Sequence, residues 1–418
     1  MKIVYQICCG IDVHKKFLIA TIVSSKNPPT LTYKKKRFST FNNQLRQLRD
    51  WLLENDCHDV CMESTGKYWV PVFNVLEKVL HVEIVNPKWV KAVKGNKDDV
   101  KDSKWIAELF CFGLTKSSFI PEKSIRILRE FTRYRAKLVA TRSSEKNRFQ
   151  NGFTVCNVAL DAVVSDMFGK SASKITDYLL TTDNPDPKIC PTFLHGSMLK
   201  KSEAVVESIE GFDFTDEQKW RMLKVREHFQ YLNQLIDDID SKLDVLTTPF
   251  KSHIDLLCTI PGIKHDSAVT ILSEIGVDMS QFASSKRLCS WAGLTPSNNQ
   301  SAGKKKSVKI SRAGVYLKPC LVQVAHAAVK STEKPYYKNK YERISKRRGK
   351  KRAIIAIARM ILTAIYHMLT LGEKFEPSDF KLSDMTPQLK ERKRMESIKQ
   401  AVNLLKRESV LPIEFSAG

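Results

Sequence analysis

Acidic residues are scarce in this chain. Its 418 residues carry 45 Asp+Glu against 69 Lys+Arg, a formal net charge of +24 at pH 7. An excess of that size steers and holds polyanions through counterion release, whereas solubility alone seldom needs so much charge of one sign. Long apolar runs are missing as well: no stretch of about eighteen appears, so no membrane span and no membrane partner are expected. Asp12 and His14-Lys15-Lys16 interrupt the apolar N-terminus, which therefore does not read as a secretory signal, and the chain is expected in the cytoplasm. The 10 cysteines show neither zinc-knuckle spacing nor a CxxC pair and read as reduced core residues. The 9 histidines are scattered, and His14 beside Asp12 reads as a supporting residue rather than a ligand. No internal repeat of roughly 20–50 residues is visible, and the length leaves room for two or three domains with proper cores.

Four acidic residues fall where a metal-dependent nuclease would need them. Ile3–His14 is an apolar run rich in β-branched residues that reaches a carboxylate at Asp12, and a second run covers Phe17–Val23, so the pair reads as a hairpin with Asp12 near its turn. Val60–Glu63 reads as a strand that stops at a carboxylate and gives way to small residues and the amphipathic stretch Tyr68–Val79. The carboxyl end of a strand is where open α/β sheets place their sites. His81–Val85, closed by Asn86-Pro87, is a third strand, and Lys97–Asp102 leads into Trp105, Ile106, Leu109 and Phe110 at helical spacing. On a helix Asp99 and Asp102 share a face. Hard divalent cations want oxygen ligands, and two of them about 3.5–4 Å apart can activate the attacking oxygen of a phosphodiester reaction and stabilise the leaving one. The plainer reading of Asp98, Asp99 and Asp102 is helix capping. Asp12 and Glu63 resist it, because a carboxylate ending a buried strand costs desolvation free energy unless something compensates it.

The middle of the chain changes character. From Ser124 to about Asn151 arginines alternate with an apolar stripe, the pattern of a long basic amphipathic helix whose arginines could grip a nucleic-acid backbone. After a stretch broken by Gly169, Pro185, Pro187 and Pro191, a second stripe runs through Phe229, Leu232, Leu235, Ile236, Ile239, Leu243 and Leu246. Two long helices around a helical insert suggest an antiparallel coiled-coil arm, structural in its plainest reading.

Leu257–Ile263, followed by Ala268, Ile271, Leu272 and Ile275-Gly276, has the form of a helix-hairpin-helix, in which a turn centred on Gly262 could accept a phosphate on its backbone N–H groups; a simple connection between packed helices is the alternative. Ser290–Lys306 is a small-residue loop running into Lys304, Lys305 and Lys306. A serine oxygen attacking phosphorus needs activation, close approach of backbone to phosphate, and positive charge against the developing oxyanion; Gly303 and the three lysines could serve Ser301 in the last two respects. Composition alone makes such a serine a solvated turn residue. Further on, Lys338–Arg343 and Lys346–Arg352, with Arg347, Arg348, Lys350 and Lys351 at its centre, form the densest basic stretch and lead into an apolar helix, Ala353–Leu371. These cations read as salt-sensitive backbone grips. The tail beyond about Glu373 is polar and basic, with a short helix near Met395–Leu405.

Gly10-Ile11-Asp12-Val13, Met62-Glu63-Ser64-Thr65-Gly66, Asp99-Val100-Lys101-Asp102, the Ile260-Pro261-Gly262 turn and the block Trp291–Pro296 followed by Ser301-Ala302-Gly303-Lys304 occur in the order seen in one family. From about residue 5 to residue 372 the chain resembles the DEDD transposases of insertion-sequence family one-hundred-ten, which also include Piv-like invertases. The resemblance implies an α/β RuvC-like (RNase H-like) nuclease domain over residues 1–120, a helical coiled-coil region over 121–250 and a mainly α transposase domain with a helix-hairpin-helix over 251–372, leaving 373–418 as a basic tail. It implies a metal-binding tetrad of Asp12, Glu63, Asp99 and Asp102 with Mg2+ or Mn2+ as cofactor, and Ser301 as a nucleophile that links covalently to DNA. The implied partners are double-stranded donor and target DNA, a structured noncoding guide (bridge) RNA that pairs with both, and further copies of the chain, a homodimer assembling to a tetramer with composite active sites, in a bacterial cytoplasm at the nucleoid. The chain departs from the family pattern in three places: Ala302-Gly303 replaces Gly-Gly, Val315 replaces Asn, and Asp98 beside Asp99 leaves the third ligand ambiguous by one residue.

The leading reading is a DNA transposase or recombinase that cuts and rejoins phosphodiesters. The second is a RuvC-like junction endonuclease with metal-activated water and no chemical part for Ser301. A third is a DNA-binding remnant without activity.

Overall fold

The computed structural model describes residues 2–25, 31–64, 66–86, 99–296, 299–301, 304–307, 309–377 and 387–407. They form two compact units, Met1–Ile120 and Pro121–Gly418.

The first unit is a mixed sheet with helices on both faces. Strands β1 (Ile7–Val13), β2 (Phe17–Ser24) and β3 (Thr32–Ser39) are followed by helix α1 (Asn42–Glu54), β4 (Asp59–Glu63), α2 (Trp69–Leu76), β5 (His81–Val85) and α3 (Asp99–Cys111). The strand order is β3-β2-β1-β4-β5, with β1, β2 and β3 antiparallel and β4 and β5 parallel to β1. β1 and β2 are buried almost throughout, which explains their unbroken apolar sequences. Because side chains alternate along a strand, Cys9 and Ile11 point into a core with Leu45, Leu48, Leu52, Val72 and Leu76 of α1 and α2, while Cys8 joins Val23, Cys61, Val85 and Ile106, Ala107 and Phe110 of α3 on the other face. β3 and α1 have no counterpart in the sequence reading. β3 is exposed along nearly its whole length and carries Lys34-Lys35-Lys36-Arg37, so it shows no apolar alternation to find.

The second unit is helical. Helix α4 (Lys123–Val155), α5 (Leu160–Val163), α6 (Lys170–Thr181), the 3-10 turns Pro187–Phe193 and Gly196–Lys201, and α7 (Ser202–Glu207) precede the long α8 (Asp216–Thr247). α8 starts with a capping box between Thr215 and Gln218 and buries Met222, Val225, Phe229, Leu232, Ile236, Ile239 and Leu243, a strict alternation of three- and four-residue steps. Partners fall in residue number along α8 as they rise along α4: Arg135 with Asp240, Arg142 with Asn233 at 3.0 Å, Glu145 with His228 at 3.2 Å. The two helices are therefore antiparallel, each about 50 Å long. The insert between them closes its own core, with Leu160, Ile175, Leu179, Cys190, Val205 and Ile209 packed on Phe149 and Phe153.

Several arginines of α4 have partners within the protein, the half-exposed Arg148 among them. Arg129 donates to the carbonyls of Ser273 (2.9 Å) and Glu274 (2.7 Å), and Arg133 makes a bidentate pair with the Glu274 carboxylate (2.7 and 2.8 Å). Arg148 pairs with Glu145. Burial pulls Arg129 down to about 10, which still leaves it charged near neutrality.

Beyond α8 come α9 (Lys251–Cys258), α10 (His265–Ile275), α11 (Ser285–Trp291), strands β6 (Asn299–Ser301) and β7 (Lys304–Ser307), α12 (Leu317–Ala328), α13 (Tyr336–Arg348), α14 (Lys350–Leu371) and α15 (Pro387–Arg407). α14 is long and apolar enough to cross a membrane, although no unbroken apolar run marks it in the sequence. Its residues Ala353, Ile354, Ile357, Ala358, Ile361, Leu362, Ile365 and Met368 are buried, and it packs on α11, α12 and α13 as the core helix of this region. The tail helix α15 is longer than the short one expected near Met395–Leu405. All ten cysteines are free thiols; burial pushes Cys57 and Cys320 up to about 12, which keeps them unreactive.

Glu274 is only 4 % exposed, and its carboxylate is the bidentate partner of Arg133 between α4 and α10. Glu274→Ala strands Arg133 and is expected to destabilise the second unit by about 2–4 kcal/mol, measured as a lower urea midpoint for helix loss. Unchanged stability would mean that the pair holds nothing.

Candidate active site

The acidic cluster is assembled by strand register and helix polarity. Gly10 pairs with Cys61 and Ile11 with Met62 across the parallel β1–β4 contact, so the next residues, Asp12 and Glu63, end neighbouring strands on one face of the sheet. That face is covered by α3. Cys111 of α3 accepts the backbone N–H groups of Val4 and Tyr5, Ala107 accepts the Cys8 thiol, and Ser103 meets Thr21 at 2.8 Å. As the helix is read backwards, its contacts climb β1, so α3 runs antiparallel to β1 and its acidic start, Asp99 to Asp102, arrives at the end of the sheet where Asp12 and Glu63 lie. Gly10 makes the approach possible: a Cβ there would sit 2.3 Å from the Ala107 nitrogen and 2.4 Å from the Ser103 oxygen.

Asp12 is 8 % exposed and lies 3.0 Å from His14 Nε2, whose ring packs on Phe17 at 4.6 Å. His14 and Asp12 are thus close neighbours at the end of β1. Among the described residues no three His, Cys, Asp or Glu side chains are close enough to hold a metal ion. Asp12, Glu63 and Asp102 therefore do not close a cage by themselves; Asp98 lies outside the described residues, and of Asp99 only the backbone, at the first position of α3, is described. Carboxylate oxygens are hard donors, of the kind that Mg2+ or Mn2+ would take rather than a softer ion.

Ser301 belongs to the second unit. It sits on a β-hairpin rather than in the irregular loop expected from its small residues: β6 and β7 pair antiparallel, Ser301 with Lys304 and Gln300 with Lys305, around Ala302-Gly303, which lie outside the described residues. Lys304, Lys305 and Lys306 are all on β7. The feet of the hairpin are clamped. Pro296 bridges Ile310, and a Cβ on Gly314 would lie 2.3 Å from the Ala292 oxygen, one on Gly293 2.7 Å from the Ala313 oxygen. Both glycines also have positive φ, 71° and 68° for Gly293 and Gly314. The chain thus enters and leaves the hairpin through one glycine crossing. Val315, where the family pattern has Asn, is 70 % exposed just past it.

The other expected contacts divide. Gly262 turns between α9 and α10 with φ 88°, but its Cβ position points at the backbone of Val324 and Ala328, each 2.6 Å away. Close packing on α12 accounts for a glycine at this position. Arg347 and Arg348 end α13, while Lys350 and Lys351 begin α14, all exposed. Cations in the first turn of α14 add to the positive end of its dipole instead of offsetting it, so this junction is strongly electropositive.

Carboxylates at the carboxyl ends of β1 and β4 lie in one unit, and a serine on a hairpin with three lysines lies in the other. Residues 9–156 match the family model of the DEDD transposase of IS110 elements, described as a transposase, and residues 254–342 match that of the transposase IS116/IS110/IS902 family. The transposase for insertion sequence element IS1111A of Coxiella burnetii is 24% identical over 329 residues, covering 76% of this chain and 79% of that one. Pilin gene-inverting proteins of Moraxella bovis and Moraxella lacunata are each 32% identical, over 139 and 130 residues, covering 31% and 29% of this chain and 41% and 38% of theirs. The chain belongs to the IS110 family of transposases, and with it to the enzymes that cut and rejoin DNA.

Two substitutions test the two scaffolds separately. Gly10→Ala forces α3 off the sheet and is expected to cost the first unit about 3 kcal/mol or more, seen as early loss of the sheet signal on heating. Gly314→Ala is expected to leave that transition in place and to lower the stability of the second unit by a similar amount; a wild-type melting profile would show that the crossing is dispensable.

Proposed function

We propose that this transposase exchanges DNA strands with two sets of groups: the carboxylates Asp12, Glu63, Asp99 and Asp102, and the nucleophile Ser301. The observation that carries the reading is the polarity of α3, which directs its acidic start to the carboxyl ends of β1 and β4. Magnesium or manganese, when bound by these carboxylates, supplies Lewis-acid stabilisation of charge on the phosphodiester. Ser301 Oγ attacks phosphorus and forms a Ser–O–P bond as the bond to a deoxyribose oxygen breaks, and that oxygen leaves as an alcohol. A second deoxyribose hydroxyl then attacks the phosphoserine and returns the serine. One phosphodiester is exchanged for another, so no net hydrolysis is needed. Lys304, Lys305 and Lys306 offset the extra charge on the phosphoryl oxygens, and the exposed cations from Arg347 to Lys351 hold backbone phosphates.

The reading extends to a structured noncoding RNA that selects donor and target DNA by base pairing, so that the protein recognises shape and backbone rather than sequence. The carboxylates and the serine lie in different units of the chain, which suits sites composed from two protomers of a dimer that assembles to a tetramer. The nucleoid of a bacterial cytoplasm is where such an enzyme would meet its DNA. The same division into units favours one competing reading, a RuvC-like nuclease unit that cuts with activated water and needs no serine.

Ser301→Ala separates them. In the recombinase it removes the covalent protein–DNA adduct and lowers strand exchange by about a thousandfold or more, while duplex binding stays within a few-fold; the adduct is read on a denaturing gel with donor DNA and Mg2+. Cutting that survives Ser301→Ala but not Asp12→Asn would establish the nuclease instead.

A further inference from the structure

Four successive cations occupy the edge strand of the sheet, and the register sorts them between its two faces. Lys34 pairs with Ile22 and Lys36 with Ala20, both on the side of α1 and α2; Lys34 Nζ accordingly meets Asn55 Oδ1 of the α1 cap at 2.6 Å, and Lys36 lies over Phe38. Lys35 pairs with Thr21 and Arg37 with Ile19. Ile19 in turn pairs with Asp12, and Thr21 with Gly10. Directly paired residues in adjacent strands share a face, so Lys35 and Arg37 stand on the α3 face with Asp12, Arg37 in line with it two strands away, about 10 Å across the sheet.

Side-chain contacts tie Arg37 to that carboxylate. Its guanidinium stacks on Phe17 at 4.0 Å from the ring centre; the Phe17 ring packs on His14, and His14 Nε2 lies 3.0 Å from Asp12. A flexible surface arginine is therefore held flat beside the acidic site, with Lys35 about 7 Å along the strand on the same side. Charge, face and spacing together match the backbone of a strand whose next phosphate lies at the carboxylates.

We infer that Arg37 and Lys35 form a phosphate track that positions the DNA strand entering the Asp12–Glu63 site. Arg37 is a positioning residue for that reaction, a role that rests on the nuclease reading of the carboxylates. The remaining pair, Lys34 and Lys36, serves the opposite face, where charge keeps an open sheet edge from pairing with another chain.

The face logic supplies the control. In the full-length protein, Lys35→Ala with Arg37→Ala and Lys34→Ala with Lys36→Ala remove equal charge from one strand, so diffuse electrostatics would weaken both alike. The expected result is that the first pair weakens binding of a labelled duplex DNA tenfold or more and reduces the slope of log affinity against log salt by about 2, whereas the second reduces it by less than about 1. Arg37→Lys keeps most of the affinity, and the Lys34→Ala with Lys36→Ala variant keeps the wild-type rate at saturating DNA. Both pairs should melt within a few degrees of the wild type. Equal losses from the two pairs overturn the track, as does a loss seen with duplex RNA but not with DNA. Asp12→Asn assayed alongside keeps the two claims apart. Cleavage that survives it removes the nuclease reading and the track with it, whereas cleavage abolished by it, with equal losses from both pairs, removes the track alone.

Discussion

The close approach of α3 to β1 at Gly10 is the contact on which the acidic face depends. Any side chain at that position would push the helix backbone outwards, because the atoms it meets are a peptide nitrogen and a carbonyl oxygen, neither of which can swing aside. With the hydrogen in place of a Cβ, the helix lies against the strand, Ser103 reaches Thr21, and the Cys8 thiol reaches Ala107. The direction of α3 follows from those contacts, and from its direction the location of the acidic start. A helix packed in the opposite sense would bury the same apolar residues and carry Asp102 to the wrong end of the sheet. Packing alone therefore does not define this site; the polar contacts along the helix choose between two orientations that hydrophobic burial would leave nearly equal.

The second unit solves a related problem by other means. α8 presents an uninterrupted apolar heptad seam, but α4 faces it with Arg135, Arg142 and Glu145, each with a partner on α8. Polar groups in a seam cost stability relative to apolar ones and fix register, since sliding the helices by one turn would separate all the pairs at once. Arg129 and Arg133 extend the same device to α10, where they meet the last carbonyls and the Glu274 carboxylate, a favourable place for cations on a helix.

Asp12 and Glu63 were legible because each ends a run of β-branched residues, and a carboxylate in that position has few bland explanations. The helix of Asp102 was legible from the spacing of Ile106, Leu109 and Phe110. β3 was not, because a strand exposed on an edge has no need of apolar alternation, and its four cations look like a solvated run. The partners of the α4 arginines were hidden for a different reason: Arg129 and Arg133 close on residues 141 to 145 positions away, a distance at which sequence spacing carries no information about contact. The Ser301 hairpin lacks both an Asn-Gly turn and a flanking apolar alternation, so its strands read as loop. The packing role of Gly262 was hidden for a similar reason, since a Pro-Gly turn before a helix has both a phosphate-binding use and a packing use, and the approach of α12 that calls for a glycine lies more than 60 residues away in sequence.

These findings redistribute the meaning of the net charge of +24. Cations already paired inside α4 and α8 release no counterions when nucleic acid binds, so they add nothing to its salt dependence, however basic that stretch of sequence looks. Among the described residues, exposed charge that can act on a polyanion includes the α3-face pair of β3 and the junction of α13 with α14. At the junction, Lys350 and Lys351 stand at the positive end of α14, where its dipole opposes them, while Arg347 and Arg348 end α13, where the dipole favours them. Exposed charge of this kind is closer evidence of a polyanionic partner than charge counted over the whole chain, because it stays available to release counterions on binding.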